Sequence, residues 1–153
     1  MSTPEERMRE LGIEIPDVVP PVASYVPTAR TGSLVYTAGQ VPVVKGELGV
    51  TGKVGAEVSV EEATRQARIC GLNGIAALKA EVGELSRIVR IVKVVGFVAS
   101  APGFTGQPQV INGASDLLVE VFGDAGKHAR SAVGVAVLPS DVPVEVEFIA
   151  EVQ

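Results

Sequence analysis

The run from Ile88 to Ala99, IVRIVKVVGFVA, is apolar on both of its alternating sides and is interrupted only by Arg90 and Lys93. Successive side chains of a strand point to opposite faces, so a half-wet strand alternates apolar with polar residues. A run apolar on both sides predicts a strand covered on both faces. Any fold that contains it must supply a layer for each side.

The rest of the chain supplies one such layer plainly. Ser59-x-x-Glu62 is a capping box that opens a helix to about Glu81, and its line Ala63, Ala67, Gly71, Gly74, Leu78 makes a small-residue face able to lie close on a sheet. A second helix is predicted from Pro108 to Phe122, with Val110, Leu117, Leu118 and Val121 apolar. Tyr25 to Val43 reads as a hairpin turning at Thr31-Gly32-Ser33. Two terminal strands, Ser131 to Leu138 and Val142 to Val152, read as a pair joined across Pro139-Ser140-Asp141. The order hairpin, helix, strand, helix, strand, strand is that of an α+β protein: a mixed β-sheet with two main helices on one face. Two helices cover one face, so the other calls for a partner, and a homo-oligomer is expected.

The chain of 153 residues suits one domain, with residues 1–20 an N-terminal helix and extended lead-in and 21–153 the main body. Thr3-Pro4-Glu5-Glu6 is a capping box, the helix is expected to end at Gly12 with Met8 and Leu11 on one side, and Pro16 to Pro21 is extended. Four glycines at 46, 49, 52 and 55 mark residues 45–56 as a mobile loop; no Lys-Ser/Thr follows to make a phosphate cradle of it. Aromatic residues are only 4% and Trp is absent, so the core must be built from closely packed Val, Ala, Leu and Ile.

Charge and cysteine content exclude several classes. A net charge of −5 and no dense Lys/Arg stripe argue against nucleic acid. A single cysteine leaves no intrachain disulfide, the start MSTPEERMRE lacks a secretory apolar segment, and no apolar run reaches membrane-spanning length. A soluble, cytoplasmic protein is expected.

Candidate chemistry is sparse. In the last strand Val142, Val144, Val146, Phe148 and Ala150 share one face, and Glu145, Glu147 and Glu151 the other. Alone, that acidic face reads as a solvated strand face rather than a site, and Arg130 as a surface or structural arginine rather than a ligand clamp. Cys70, between Ile69 and Leu72 in its helix context, reads as a buried structural thiol. His128 is the only histidine, which removes a His-cluster metal site, and reads as an exposed loop residue.

Ala129-Arg130-Ser131-Ala132-Val133, Leu138-Pro139 and Val144-Glu145-Val146-Glu147 together resemble the signature of the YjgF/RidA family. Tyr25, Thr37-Ala38-Gly39-Gln40-Val41-Pro42 and Val110-Ile111-Asn112 keep that family's spacing over roughly residues 20 to 153. The resemblance implies a chorismate-mutase-like fold, a homotrimer with ligand clefts between subunits, and hydrolysis of reactive imines or enamines to a 2-keto acid and ammonia. It implies Arg130 and Glu145 as catalytic residues, with Tyr25, Gly39, Asn112 and Ala132 binding a small carboxylate-bearing metabolite, and neither metal nor organic cofactor. The sequence departs from the family pattern at two places: Ala132 stands where a cysteine is usual, and Ala38 where a serine is. A non-catalytic trimer that binds small 2-keto acids is the alternative this raises.

Overall fold

A computed structural model describes residues 2–153. Helix α1, Pro4–Glu10, is followed by the extended lead-in and a hairpin of β1, Thr28–Thr31, and β2, Leu34–Thr37. A two-residue hairpin follows, β3 (Val43–Val44) with β4 (Glu47–Leu48), then α2, Val60–Val82. After α2 come β5 (Ile88–Ala99), α3 (Gln107–Phe122), β6 (Ala129–Val135) and β7 (Val144–Val152).

The main sheet has the order β1-β2-β7-β5-β6. β5 and β6 are parallel, and every other neighbouring pair is antiparallel. The terminal strands β6 and β7 are therefore not a pair, contrary to the reading from sequence: β5 lies between them. The crossover through α3 delivers β6 parallel to β5 on one edge, as a parallel connection requires. β7 then closes the gap between the other edge of β5 and β2.

Both main helices lie on one face, packed closely because glycine stands at the crossings. A Cβ on Gly96 of β5 would run into the Ile111 side chain of α3, and one on Gly74 of α2 into the Phe148 ring of β7. Val94, Val98, Val144, Val146, Phe148 and Ala150 are sealed in the core between sheet and helices. On the opposite face Tyr36 is 42% and Val133 43% exposed, while Lys93, Val95, Phe97 and Ile149 are half-buried. In one protomer, β5 is thus covered on one side only.

Two local expectations are corrected. Residues 45–56 are built into the fold. Lys45 and Gly46, both with positive φ, turn the β3–β4 hairpin, and Val54 is fully buried, bridging Val58 and Ser100. The buried Asn73 of α2 donates from Nδ2 to the carbonyls of both Val41 and Val43 at 3.0 Å, pinning this region to the helix. Leu11 is 52% exposed, so only Met8 anchors α1 by apolar contact. Polar bonds do the rest. Thr3 forms the expected reciprocal capping box, Arg7 donates to the Val121 carbonyl, and Glu5 accepts from Lys79 Nζ and the Leu85 amide. Among the described residues no helix is long and apolar enough to cross a membrane.

Candidate functional site

The sequence-predicted residues gather into two groups on opposite faces of the sheet. Arg130, paired with Val94 across the parallel ladder, faces the helices. Its Nη1 donates to Asn112 Oδ1 at 2.7 Å and to Ser115 Oγ at 3.2 Å. Asn112 and Ser115 are three residues apart on α3 and so share a side of the helix. Ala132, two residues beyond Arg130, is half-buried on the same face.

His128 completes this group. Its Nδ1 lies 2.6 Å from the Gly126 carbonyl and its Nε2 2.9 Å from Ser115 Oγ. A carbonyl only accepts, so Nδ1 carries the proton and the neutral ring accepts at Nε2 from the Ser115 hydroxyl. Ser115 Oγ is then free to accept from Arg130. Burial lowers the His128 pKa below its ordinary value, with the nearby Arg130 charge adding to the effect, which agrees with a neutral ring. Both protons of Arg130 Nη1 are thereby engaged. Nη2 and Nε have no partner among the described residues, which leaves one edge of the guanidinium free for a planar anion.

The second group occupies the other face. Glu145 pairs with Phe97, three residues along β5 from the partner of Arg130. It borders a cleft of about 570 Å³ together with Tyr25, Tyr36, Thr37, Ala38 and Gly39. Gln40 exchanges backbone hydrogen bonds with Val146 at 2.8 and 3.0 Å, which lays residues 38–40 beside β7. A Cβ on Gly39 would fall within 2.9 Å of Glu145 Cδ, so only glycine lets the carboxylate lie there. Burial raises the Glu145 pKa above its ordinary value, with the Glu147 charge adding to it. The Ala38 amide is tied to the Pro27 carbonyl at 2.8 Å, which brings the lead-in and Tyr25 over this cleft.

Tyr25, Gly39 and Glu145 are thus one assembly, and Asn112, Arg130 and Ala132 another. Reading the sequence missed Ser115 and misjudged His128, which is half-buried in the Arg130 network rather than exposed in a loop. The spacing of Ser115 from Asn112 and of His128 from Arg130 would have placed each on the right side of its element. Their meeting depends on how α3 crosses β6. Cys70 is fully buried, its Sγ 3.7 Å from the Val144 carbonyl, and burial pushes its thiol pKa up, with the Glu145 charge contributing. It is a structural thiol. Among the described residues no cluster of three or more His, Cys, Asp or Glu could hold a metal ion.

A mixed five-stranded sheet with its helices on one face and a polar group on each side defines an α+β protein of the chorismate-mutase-like class. The chain belongs to the family described as "YjgF/chorismate mutase-like, putative endoribonuclease", whose sequence profile matches residues 5–152. It is 42% identical to Protein TCP17 of Trypanosoma cruzi over 147 residues, 94% of this chain and 91% of that one. Among solved structures it is similar to Atu1372 of Agrobacterium tumefaciens, of unknown function, with 46% identity, 98% and 92% of the two chains covered and a TM-score of 0.91. A Shewanella oneidensis MR-1 protein bearing the same endoribonuclease description gives 38% identity, 99% and 100% coverage and a TM-score of 0.96.

Proposed function

We propose that the chain is a deaminase that hydrolyses small imines or enamines derived from amino acids, working as a homotrimer. The observation that carries this is the separation of Arg130 and Glu145 onto opposite faces of one sheet. Neither group is complete alone, and the uncovered face bearing Glu145 also carries the exposed Tyr36 and Val133. Packing that face against a neighbour's β6 edge brings the Glu145 group of one subunit to the Arg130 group of the next. Closed rings join by such unlike patches.

In that cleft the free Nε and Nη2 edge of Arg130 holds the substrate carboxylate in a bidentate pair. Ser115 and His128 act as positioning residues, occupying Nη1 so that this edge is the one presented. Glu145 takes a proton from water as the water oxygen bonds to the imine carbon, and passes it to the nitrogen. It then takes the remaining proton from the new hydroxyl and delivers it to the same nitrogen, so that the C=O of the keto acid forms as the C–N bond breaks and ammonia leaves. A carboxyl with a raised pKa is suited to both directions of that transfer. The Gly39 amide, without a partner among the described residues, can hydrogen-bond the forming oxygen. Because Ala38 and Ala132 offer no hydroxyl or thiol, the proton traffic falls on Glu145.

A relative whose structure holds an amino acid supports a ligand of this size. Escherichia coli TdcF, 28% identical over 90% of this chain with a TM-score of 0.63, is a serine-bound structure. The endoribonuclease description fits less well, since the chain carries a net charge of −5 and one histidine, and that histidine is engaged on both ring nitrogens. A second reading, a non-catalytic binder of 2-keto acids, is favoured by the two alanines. Ammonia release from enzymatically generated 2-iminopropanoate or 2-iminobutanoate decides between them. Release above the spontaneous rate that is lost in Arg130→Ala supports the deaminase, and keto-acid binding without turnover supports the binder.

A further inference from the structure

Next to the Glu145 cleft, and sharing Tyr25, Ala38, Gly39 and Glu145 with it, lies a second cavity of about 400 Å³. Its walls are aliphatic: Pro20 from the lead-in, Val41, Val43 and Leu48 from the β3–β4 region, and Val142 from the turn before β7. Of its polar lining, Gln40 turns its side-chain amide back onto the Ala38 carbonyl at 3.3 Å. Ala38, at the junction with the cleft, adds a methyl group where a hydroxyl would have made that end polar.

The walls are held in place from outside. Asn73 fixes the carbonyls of Val41 and Val43, so the β3 wall is tied to α2. Opposite, Ser140 and Asp141 both adopt φ of 57°, a left-handed turn uncommon for two successive non-glycine residues. That turn is anchored by the Lys53–Asp141 ion pair and by the Gly52 amide donating to the Asp141 carbonyl at 2.9 Å. A preformed apolar cavity beside a convergent polar group is the usual design of a small-molecule subsite.

We infer that this cavity receives the substrate's side chain, and that among 2-imino and 2-oxo acids the protein favours those with branched aliphatic or aromatic side chains over three- and four-carbon ones. The inference rests on the proposed carboxylate and imine site. With the carboxylate directed to Arg130 and the reacting nitrogen at Glu145, the remaining substituent of the 2-carbon is left to enter the contiguous cavity. Ligand pockets for molecules of drug size span about 300–1,000 Å³. A methyl group would leave most of this space unfilled and its aliphatic walls without contact, whereas an isobutyl or benzyl group would bury against them.

Calorimetry with pyruvate, 4-methyl-2-oxopentanoate and phenylpyruvate tests the size preference without requiring turnover. Burying one such side chain corresponds to about ten- to a hundredfold in affinity, so the two larger acids are expected to bind at least about tenfold tighter than pyruvate. In Val43→Phe and in Leu48→Trp, each shown folded by thermal melting, that ratio should fall to within about twofold of unity. A ratio near one in the unaltered protein, or one that persists in both filled variants, overturns the inference while leaving the carboxylate site standing. If none of the three acids binds, the proposed site itself fails and the inference falls with it.

Discussion

Arg130 and Glu145 leave opposite faces of the same sheet: their partners on β5, Val94 and Phe97, are three residues apart in an uninterrupted stretch, an odd step that reverses the side. Arg130 is fastened beneath the sheet to α3, and Glu145 stands on the face that no helix covers. No rotamer change within a protomer can unite them. A mixture of Arg130→Ala and Glu145→Gln subunits, each inactive alone, should therefore regain deaminase activity when co-folded. Random assembly gives about one quarter of the clefts both unaltered residues. Recovery of no activity from demonstrably mixed oligomers would refute the shared cleft.

In the proposed deamination, the state of Glu145 sets an acid limb on the rate. It must be a carboxylate to take a proton from water, and its pKa lies above the ordinary value near 4.5, so kcat/KM should decline as pH falls through that raised value. The stability effect has the opposite sense. Between the ordinary and raised values the folded chain holds a proton that the unfolded chain has lost, so stability decreases as pH rises through that window. Glu145→Gln removes this cost, and a thermal melt at neutral pH should show a slightly higher Tm in a protein without deaminase activity.

Gly39 has a different kind of importance. Gly39→Ala puts a methyl group against the Glu145 carboxylate in an otherwise open cleft. The carboxylate can swing away, so Tm should change little. Its displacement by about an ångström should lower kcat on the order of a hundredfold, which steady-state kinetics on a generated imine will register.

His128 offers a direct view of the Arg130 network by NMR titration. Its pKa should lie below 6.5 because of burial first and the Arg130 charge second, and in Arg130→Ala it should move back up. With a lowered folded value, the unfolded chain binds the extra proton first as pH falls, so the stability His128 contributes is present above about 6.5 and is lost as pH drops below it. Ser115→Ala removes one of the two acceptors on Arg130 Nη1. A hydrogen bond of about 0.5–1.5 kcal/mol corresponds to roughly two- to tenfold weaker keto-acid binding, and Ser115→Thr, which keeps the hydroxyl, should restore most of it.

Gly113, next to Asn112, tests the packing that carries the Arg130 group. A Cβ there would lie 3.0 Å from the Thr64 carbonyl carbon of α2, a backbone atom that cannot rotate aside. Gly113→Ala should force α3 away from α2 and destabilise the chain by about 1–3 kcal/mol in urea denaturation. Because α3 also carries Asn112 and Ser115, ligand affinity should weaken alongside.

Local periodicity and capping signals were enough to read the helices, the long strand runs and the alternation of the last strand. The apolar Val144, Val146, Phe148 and Ala150 are sealed in the core, and Glu145 lies on the other face, as a period of two requires. The small-residue line of α2 likewise announced a close-packed helix, because what a helix can approach is set by the side chains on its own surface. Long-range pairing was not legible. Whether β7 joins β6 or slips between β2 and β5 depends on the crossover that places β6 and on which strand edges are left unpaired. That choice determined that Arg130 and Glu145 part company. The anchoring of the Val41 and Val43 backbone by Asn73 and the union of Ser115 with His128 escaped sequence for the same reason: each joins residues whose neighbourhood exists only after helices and strands have packed. The sequence by itself determined the main elements, their apolar faces and most of the residues capable of chemistry. Only the tertiary structure decided which of those residues share a side of the sheet, because that follows from strand order and register rather than from any local pattern.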